Sequence, residues 1–246
     1  MALNPDGDRR SPLDYAVKVE GLTKFYGPLR VLRGLNLELK RGEFLVIFGA
    51  NGSGKSTLTR ILSTLSRPSS GRVFVEGLDL EKQAQQIRQR IGVLLHNSLL
   101  YNELSVYENL KFYGRMFHVP DLQERIKETV AQVGMESRLR QRVGTLSHGM
   151  QKRVSIARAL LHDPGLLLFD EPETGLDFDA LRALMGIIRE PSGRKRSAII
   201  TTHNIEQGFE WASHIAILDK GQIQFMKDKK EIDASSFLNT YQSVVC

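Results

Sequence analysis

Residues Gly49, Ala50, Asn51, Gly52, Ser53, Gly54, Lys55, Ser56 and Thr57 satisfy the pattern GxxxxGK[ST] at every fixed position. The apolar run Phe44–Phe48 precedes them, and Leu58, Ile61, Leu62 and Leu65 follow at helical spacing. A strand, a glycine-rich loop and a helix in that order form a phosphate cradle, whereas the same glycines alone would suit any turn before a core helix. Without a Cβ at the glycines, backbone N–H groups close around phosphate oxygens. The helix opening near Lys55 points its positive end at the same oxygens. Lys55 is expected to reach the β- and γ-phosphates, and the Ser56 hydroxyl to bind Mg2+.

The surrounding pattern narrows the fold. Val17 and Val19, then Leu35, Leu37 and Leu39, then Val73 and Val75 alternate with other residues, as half-buried antiparallel strands do. Four short runs, at 44–48, 91–95, 166–169 and 198–200, are apolar on both faces and fit a buried parallel sheet. Each ends in glycine or polar residues: Gly49, His96, Asp170 with Glu171, and Thr201-Thr202-His203. Ligands of such sheets sit at the carboxyl ends of the strands. Between the second and third runs the chain reads as helical, over about 97–160. Ser105 to Glu108 is a capping box, Pro120-Asp121 opens a second helix that Gly134 closes, and a third begins near Met150. Residues 215–218 and 222–225 flank Asp219-Lys220-Gly221 as a hairpin. The last twenty residues read as a short helix and a frayed tail.

Composition excludes several classes. No run approaches the ~18 apolar residues of a membrane span, and residues 1–15 lack the apolar centre of a signal peptide. The single cysteine, Cys246, rules out an internal disulfide framework. Net charge is +6. The basic clusters at Arg138/Arg140/Arg142, Arg194/Lys195/Arg196 and Lys227/Lys229/Lys230 lack interleaved aromatics, so no specific nucleic acid is expected. The six histidines form no H-x-x-x-H or His/Cys cluster, which argues against zinc.

Leu166-Leu167-Leu168-Phe169-Asp170-Glu171 is an apolar strand ending in two carboxylates. Asp170 is placed to hold Mg2+ through its water shell, and Glu171 to orient or deprotonate an attacking water. An acidic loop after a core strand is the plainer alternative. Leu146-Ser147-His148-Gly149-Met150-Gln151 then precedes a helix. In this order, these motifs resemble the ATP-binding-cassette family over about residues 17–226. The turn matches that family's LSGGQ signature at Leu146, Ser147 and Gly149, and departs from it at His148 and Met150.

The resemblance implies an α/β fold: a P-loop core with a mostly parallel sheet, an antiparallel β subdomain and a helical lobe. Residues 1–14 would be a disordered lead, 15–230 the ATPase unit with its lobe at about 97–160, and 231–246 a short C-terminal tail. Tyr26 looks like the aromatic that stacks on adenine. His96 stands where the family usually has the glutamine that joins the Mg2+ site to a membrane partner, or is a neutral turn residue. Thr174-Gly175-Leu176-Asp177 resembles the loop that crosses to a second subunit, and His203 resembles the switch histidine at the γ-phosphate. Two copies, or this chain and a homologous ATPase chain, would pack head to tail, with ATP and Mg2+ between one P-loop and Ser147, His148, Gly149 and Met150 of the other.

A separate integral membrane transporter subunit is implied, with this chain cytoplasmic and peripheral on the inner face of the cell membrane. Leu99, Leu100, Tyr101, Tyr107 and Tyr113 would line its groove or fill the lobe core. A chain end without a long regulatory extension points towards an exporter. His96 and the compact size resemble the haem-exporter ATPase of cytochrome c maturation. An exporter of drug, lipid or polysaccharide is the alternative, and a soluble relative acting on ribosome or DNA another.

Overall fold

A computed structural model describes residues 14–176, 178–189 and 196–245. The expected disordered lead, apart from Asp14, and the expected dimer residue Asp177 lie outside the described residues.

Two sheets stack. The first is antiparallel, with order β2-β1-β4-β5, from β1 (Tyr15–Tyr26), β2 (Leu29–Lys40), β4 (Ser70–Val75) and β5 (Leu78–Asp79). Leu35, Leu37 and Leu39 of β2 are buried while Asn36, Glu38 and Lys40 between them are exposed, the period-two signature of one wetted face. The second sheet has order β10-β9-β3-β8-β7-β6, from β3 (Phe44–Phe48), β6 (Ile91–Leu94), β7 (Leu166–Asp170), β8 (Ser197–Thr202), β9 (His214–Asp219) and β10 (Gln222–Asp228). All its pairings are parallel except the β9–β10 hairpin.

The unbroken apolar runs follow from two cores. Leu45 and Ile47 of β3 pack with the antiparallel sheet and with Leu58, Ile61 and Leu62 of α1 (Lys55–Leu62). Val46 and Phe48 of the same strand face the helical side. A strand buried on both faces has no polar position to alternate with.

The helical side holds α3 (Val106–Met116), α4 (Leu122–Gln132) and α5 (His148–Leu160). The capping box at α3 is formed, with the Ser105 hydroxyl accepting from Glu108 N and the Glu108 carboxylate accepting from Ser105 N. α5 begins at His148, two residues before the expected start, because the Ser147 hydroxyl accepts from Met150 N and caps it. α5 lies hard against β6: a Cβ on Gly92 would fall 2.4 Å from Ala159 O. Three helices fall outside the segments read as helical from the sequence: α2 (Ala84–Arg88), α6 (Phe178–Arg189) and α7 (Ile205–Trp211). The C-terminal segment does not fray over its described length. It forms α8 (Ala234–Val245), anchored by a fully buried Phe237 whose ring meets Phe48, Phe209 and Phe225.

Candidate nucleotide site

The loop between β3 and α1 has the form a phosphate cradle requires. Gly52 and Gly54 adopt positive φ, +83° and +114°, which side chains with a Cβ rarely tolerate. A Cβ on Gly49 would lie 2.3 Å from Leu218 O, so the loop fits only as glycine under the β9–β10 hairpin. Lys55 is 5% exposed. Its Nζ donates to Gly49 O at 2.7 Å and Ala50 O at 3.2 Å, and lies 3.8 Å from Glu171 Oε1. Burial lowers its pKa, against the pull of Glu171, Asp170 and Glu173. A buried ammonium held by two carbonyls and a distant carboxylate suits an anion that enters the loop. Ser53 Oγ is buried with no partner in the loop, while Ser56 is exposed and Thr57 half-buried at the start of α1.

The parallel pairing of β7 with β8 brings the acidic pair to the same place. Asp170 pairs with Thr201, whose hydroxyl donates to Asp170 Oδ1 at 2.6 Å. Glu171 N donates to Thr201 O at 2.9 Å, and Glu171 itself adopts φ +49°. A non-glycine residue in that conformation is held by its surroundings, here at the strand end. Its Oε1 then lies 3.4 Å from His203 Nδ1. Lys55, Glu171 and His203, from three strand ends, thus converge on one carboxylate oxygen.

The other expected residues lie around this centre. Tyr26 ends β1, half exposed, with Lys24 Nζ 4.9 Å from its ring centroid. The β1–β2 hairpin overhangs the loop, since a Cβ on Gly54 would meet Leu32 Cδ2 at 2.8 Å. Ser147 and His148 are exposed at the N-terminus of α5, and Gly149 and Met150 half-buried. The turn packs along the Glu173–Gly175 segment: a Cβ on Gly175 would strike His148 Cδ2 at 2.5 Å, and one on Gly149 would reach Gly175 O at 3.0 Å. Gln151 does not stand in for a glutamine at position 150. Its amide donates inward to Val143 O and Leu146 O, both at 3.2 Å. His96 is exposed just past β6, and no hydrogen bond or ion pair among the described residues joins it to Asp170, Glu171 or His203.

Two residues beside the site were missed by sequence reasoning. Glu173 accepts from the Thr202 hydroxyl through Oε1, and its Oε2 is buried without a partner. Burial raises its pKa. Lys152, on α5, is 4% exposed, and burial lowers its pKa against the carboxylates of Glu173, Asp170 and Glu171. A third acid two positions after Glu171 was the available signal for Glu173; only the packing of α5 reveals Lys152.

A glycine cradle with a buried lysine, a strand-end aspartate and a carboxylate–histidine pair defines a P-loop nucleoside triphosphatase. The family model described as ABC transporter matches residues 32–174. The ABC transporter ATP-binding protein NatA of Bacillus subtilis (strain 168) is 33% identical over 198 residues, covering 79% of this chain and 80% of that one. The daunorubicin resistance ATP-binding protein DrrA3 of Streptomyces coeruleorubidus is 35% identical over 212 residues, 85% of this chain and 67% of its own. The dimeric post-hydrolysis structure of the ATP-binding cassette MJ0796, bound to ADP and Pi, superposes with a TM-score of 0.81 at 27% identity, covering 87% of this chain and 98% of that one. The chain belongs to the ABC transporter family, as an ATP-binding subunit that hydrolyses ATP.

Proposed function

We propose that two copies of this chain close head to tail around two ATP molecules and drive a separate membrane subunit that exports its substrate. The observation that carries this reading is the exposure of Ser147 and His148. The Ser147 oxygen caps its own helix, which leaves the hydroxyl hydrogen and the helix N-terminus to receive an anion. One P-loop covers one side of a triphosphate, so an outward-facing second anion site belongs to a neighbour's nucleotide. The dimeric form of the MJ0796 cassette supports the same arrangement.

In that dimer Gly49 to Thr57 hold the phosphates in cis and Tyr26 meets the base. Ser56 and Asp170 would hold Mg2+, which neutralises phosphate charge when bound. Glu171 takes a proton from, or orients, the attacking water, and His203 keeps Glu171 aimed while touching the γ-phosphate. Losing the γ-phosphate removes the shared anion and lets the copies part. Asp177 would complete the contact across the dimer.

The membrane subunit docks beside His96. A groove of about 430 Å³ is lined by Val93 and Leu99, which flank His96 in the chain, and by Leu65, Tyr113 and Met116, with Arg158 and His162 among its other lining residues. Leu65, Leu99 and Met116 are exposed apolar side chains on its rim. No helix among the described residues is long and apolar enough to cross a membrane; in the arrangement proposed, the spanning part is a different polypeptide and this chain rests against the inner membrane face. A relative named for daunorubicin resistance supports the drug-type alternative over haem, for which His96 is the main support.

The test is Glu171→Gln with ATP. We expect a dimer by light scattering, with hydrolysis slowed by a factor on the order of 10² or more, and a monomer with ADP. A mutant that stays monomeric at saturating ATP refutes the shared-nucleotide reading.

A further inference from the structure

We propose that Glu173 is a positioning residue for hydrolysis: its carboxylate, held by the Thr202 hydroxyl, keeps the His203 turn against Glu171. This rests on the roles given above to Glu171 and His203.

The geometry is a closed ring. Along the chain, Glu171, Pro172 and Glu173 run away from the end of β7. Glu173 Oε1 accepts from Thr202 Oγ1 at the end of β8, His203 follows, and its Nδ1 lies 3.4 Å from Glu171 Oε1. Glu171 and Thr202 are pinned from outside the ring. Glu171 N is bound to Thr201 O, Thr202 Oγ1 also accepts from Asn204 N at 2.9 Å, and Asn204 Oδ1 accepts from Gln207 N at 3.0 Å to cap α7. His203 is 56% exposed and makes no tighter contact than the one to Glu171, so its placement depends on its neighbours. Glu173 supplies the only side-chain bond among the described residues that spans from the 171–175 segment to residues 202–204 apart from the His203 contact itself. Cutting it frees His203 to swing away from Glu171. Because Gly175, two residues on, packs against His148, the same ring adjoins the turn that faces the second nucleotide.

The role predicts a distinctive kinetic pattern in the purified full-length chain. Glu173→Ala should lower kcat about tenfold while KM for ATP stays within about twofold, because the loop from Gly49 to Thr57 supplies most of the grip on the phosphates. Glu173→Gln keeps an acceptor for Thr202 and should retain most of kcat. Thr202→Val should lower kcat at least as much as Glu173→Ala, since it also removes the acceptor for Asn204 N, Thr202→Ser should retain activity, and the double variant Glu173→Ala/Thr202→Val should be no worse than Thr202→Val alone. Affinity for a fluorescent ATP analogue reports that each variant is folded. Wild-type kcat in Glu173→Ala overturns the proposal. So does a Glu173→Gln as slow as Glu173→Ala, since the negative charge and not the bond would then matter. These outcomes are separate from failure of the shared-nucleotide reading, which shows in the Glu171→Gln dimer and leaves the Glu173 series untouched.

Discussion

Lys55 sits buried with its ammonium turned onto the carbonyls of its own loop. Those bonds are weak substitutes for a triphosphate, and an entering anion takes the lysine over. Lys55→Ala removes the main cation of the cradle, and ATP affinity should fall by at least about tenfold, read by equilibrium titration. Affinity equal to wild type would remove Lys55 from phosphate binding. A different buried cation-former sets a pH response. His162 stacks on Phe117, with ring centroids 4.1 Å apart, and its Nε2 donates to Ile91 O at 3.0 Å, while Nδ1 is buried without a partner. Protonating Nδ1 would place a charge in that pocket, and burial pulls the pKa down to about 4. The unfolded chain takes up this proton near pH 6.5, before the folded chain does. Stability therefore falls as pH drops from 6.5 towards 4, by about 3 kcal/mol in all. His162→Gln should flatten that part of a denaturation-against-pH curve, and an unchanged slope would assign the response to other groups.

At the scale of elements, helices are held by local caps and by packing against distant segments. α3 is specified locally by its capping box, which is why its start was legible at Ser105. α8 is capped at its start, where Asp233 Oδ1 accepts from Ser236 N at 2.9 Å, but that local bond does not fix where the helix docks. It is held by Phe237, fully buried among three other phenylalanines drawn from β3, α7 and β10. Phe237→Ala should cost about 3–5 kcal/mol, measured by chemical denaturation. A loss under 1 kcal/mol would mean that α8 is an appendage. Capping, turn chemistry and apolar runs act within a few positions, so Ser105, Gly134, the 219–221 turn and the strand runs could be read directly. Docking of α8, the inward-turned Gln151 and the buried Lys152 depend on partners far along the chain.

For the whole molecule, the exposed turn at α5 is the test surface. Ser147→Arg places a long cation at the proposed contact without touching the cis cradle. ATP binding by the single chain should stay within about twofold, while the ATP-held dimer of the Glu171→Gln background should be lost in light scattering. A dimer that survives would move the interface elsewhere.

The residues alone determined the phosphate loop, the two kinds of sheet and the strand ends where polar groups gather, because sterics, periodicity and glycine conformations are local. Only the tertiary structure decided that Lys55, Glu171 and His203 meet at one oxygen, that Glu173 ties Thr202 to that centre, and that Ser147 and His148 face outward. Those distances are set by the order in which β3, β8 and β7 lie side by side, and that order is fixed by packing between segments distant in the chain.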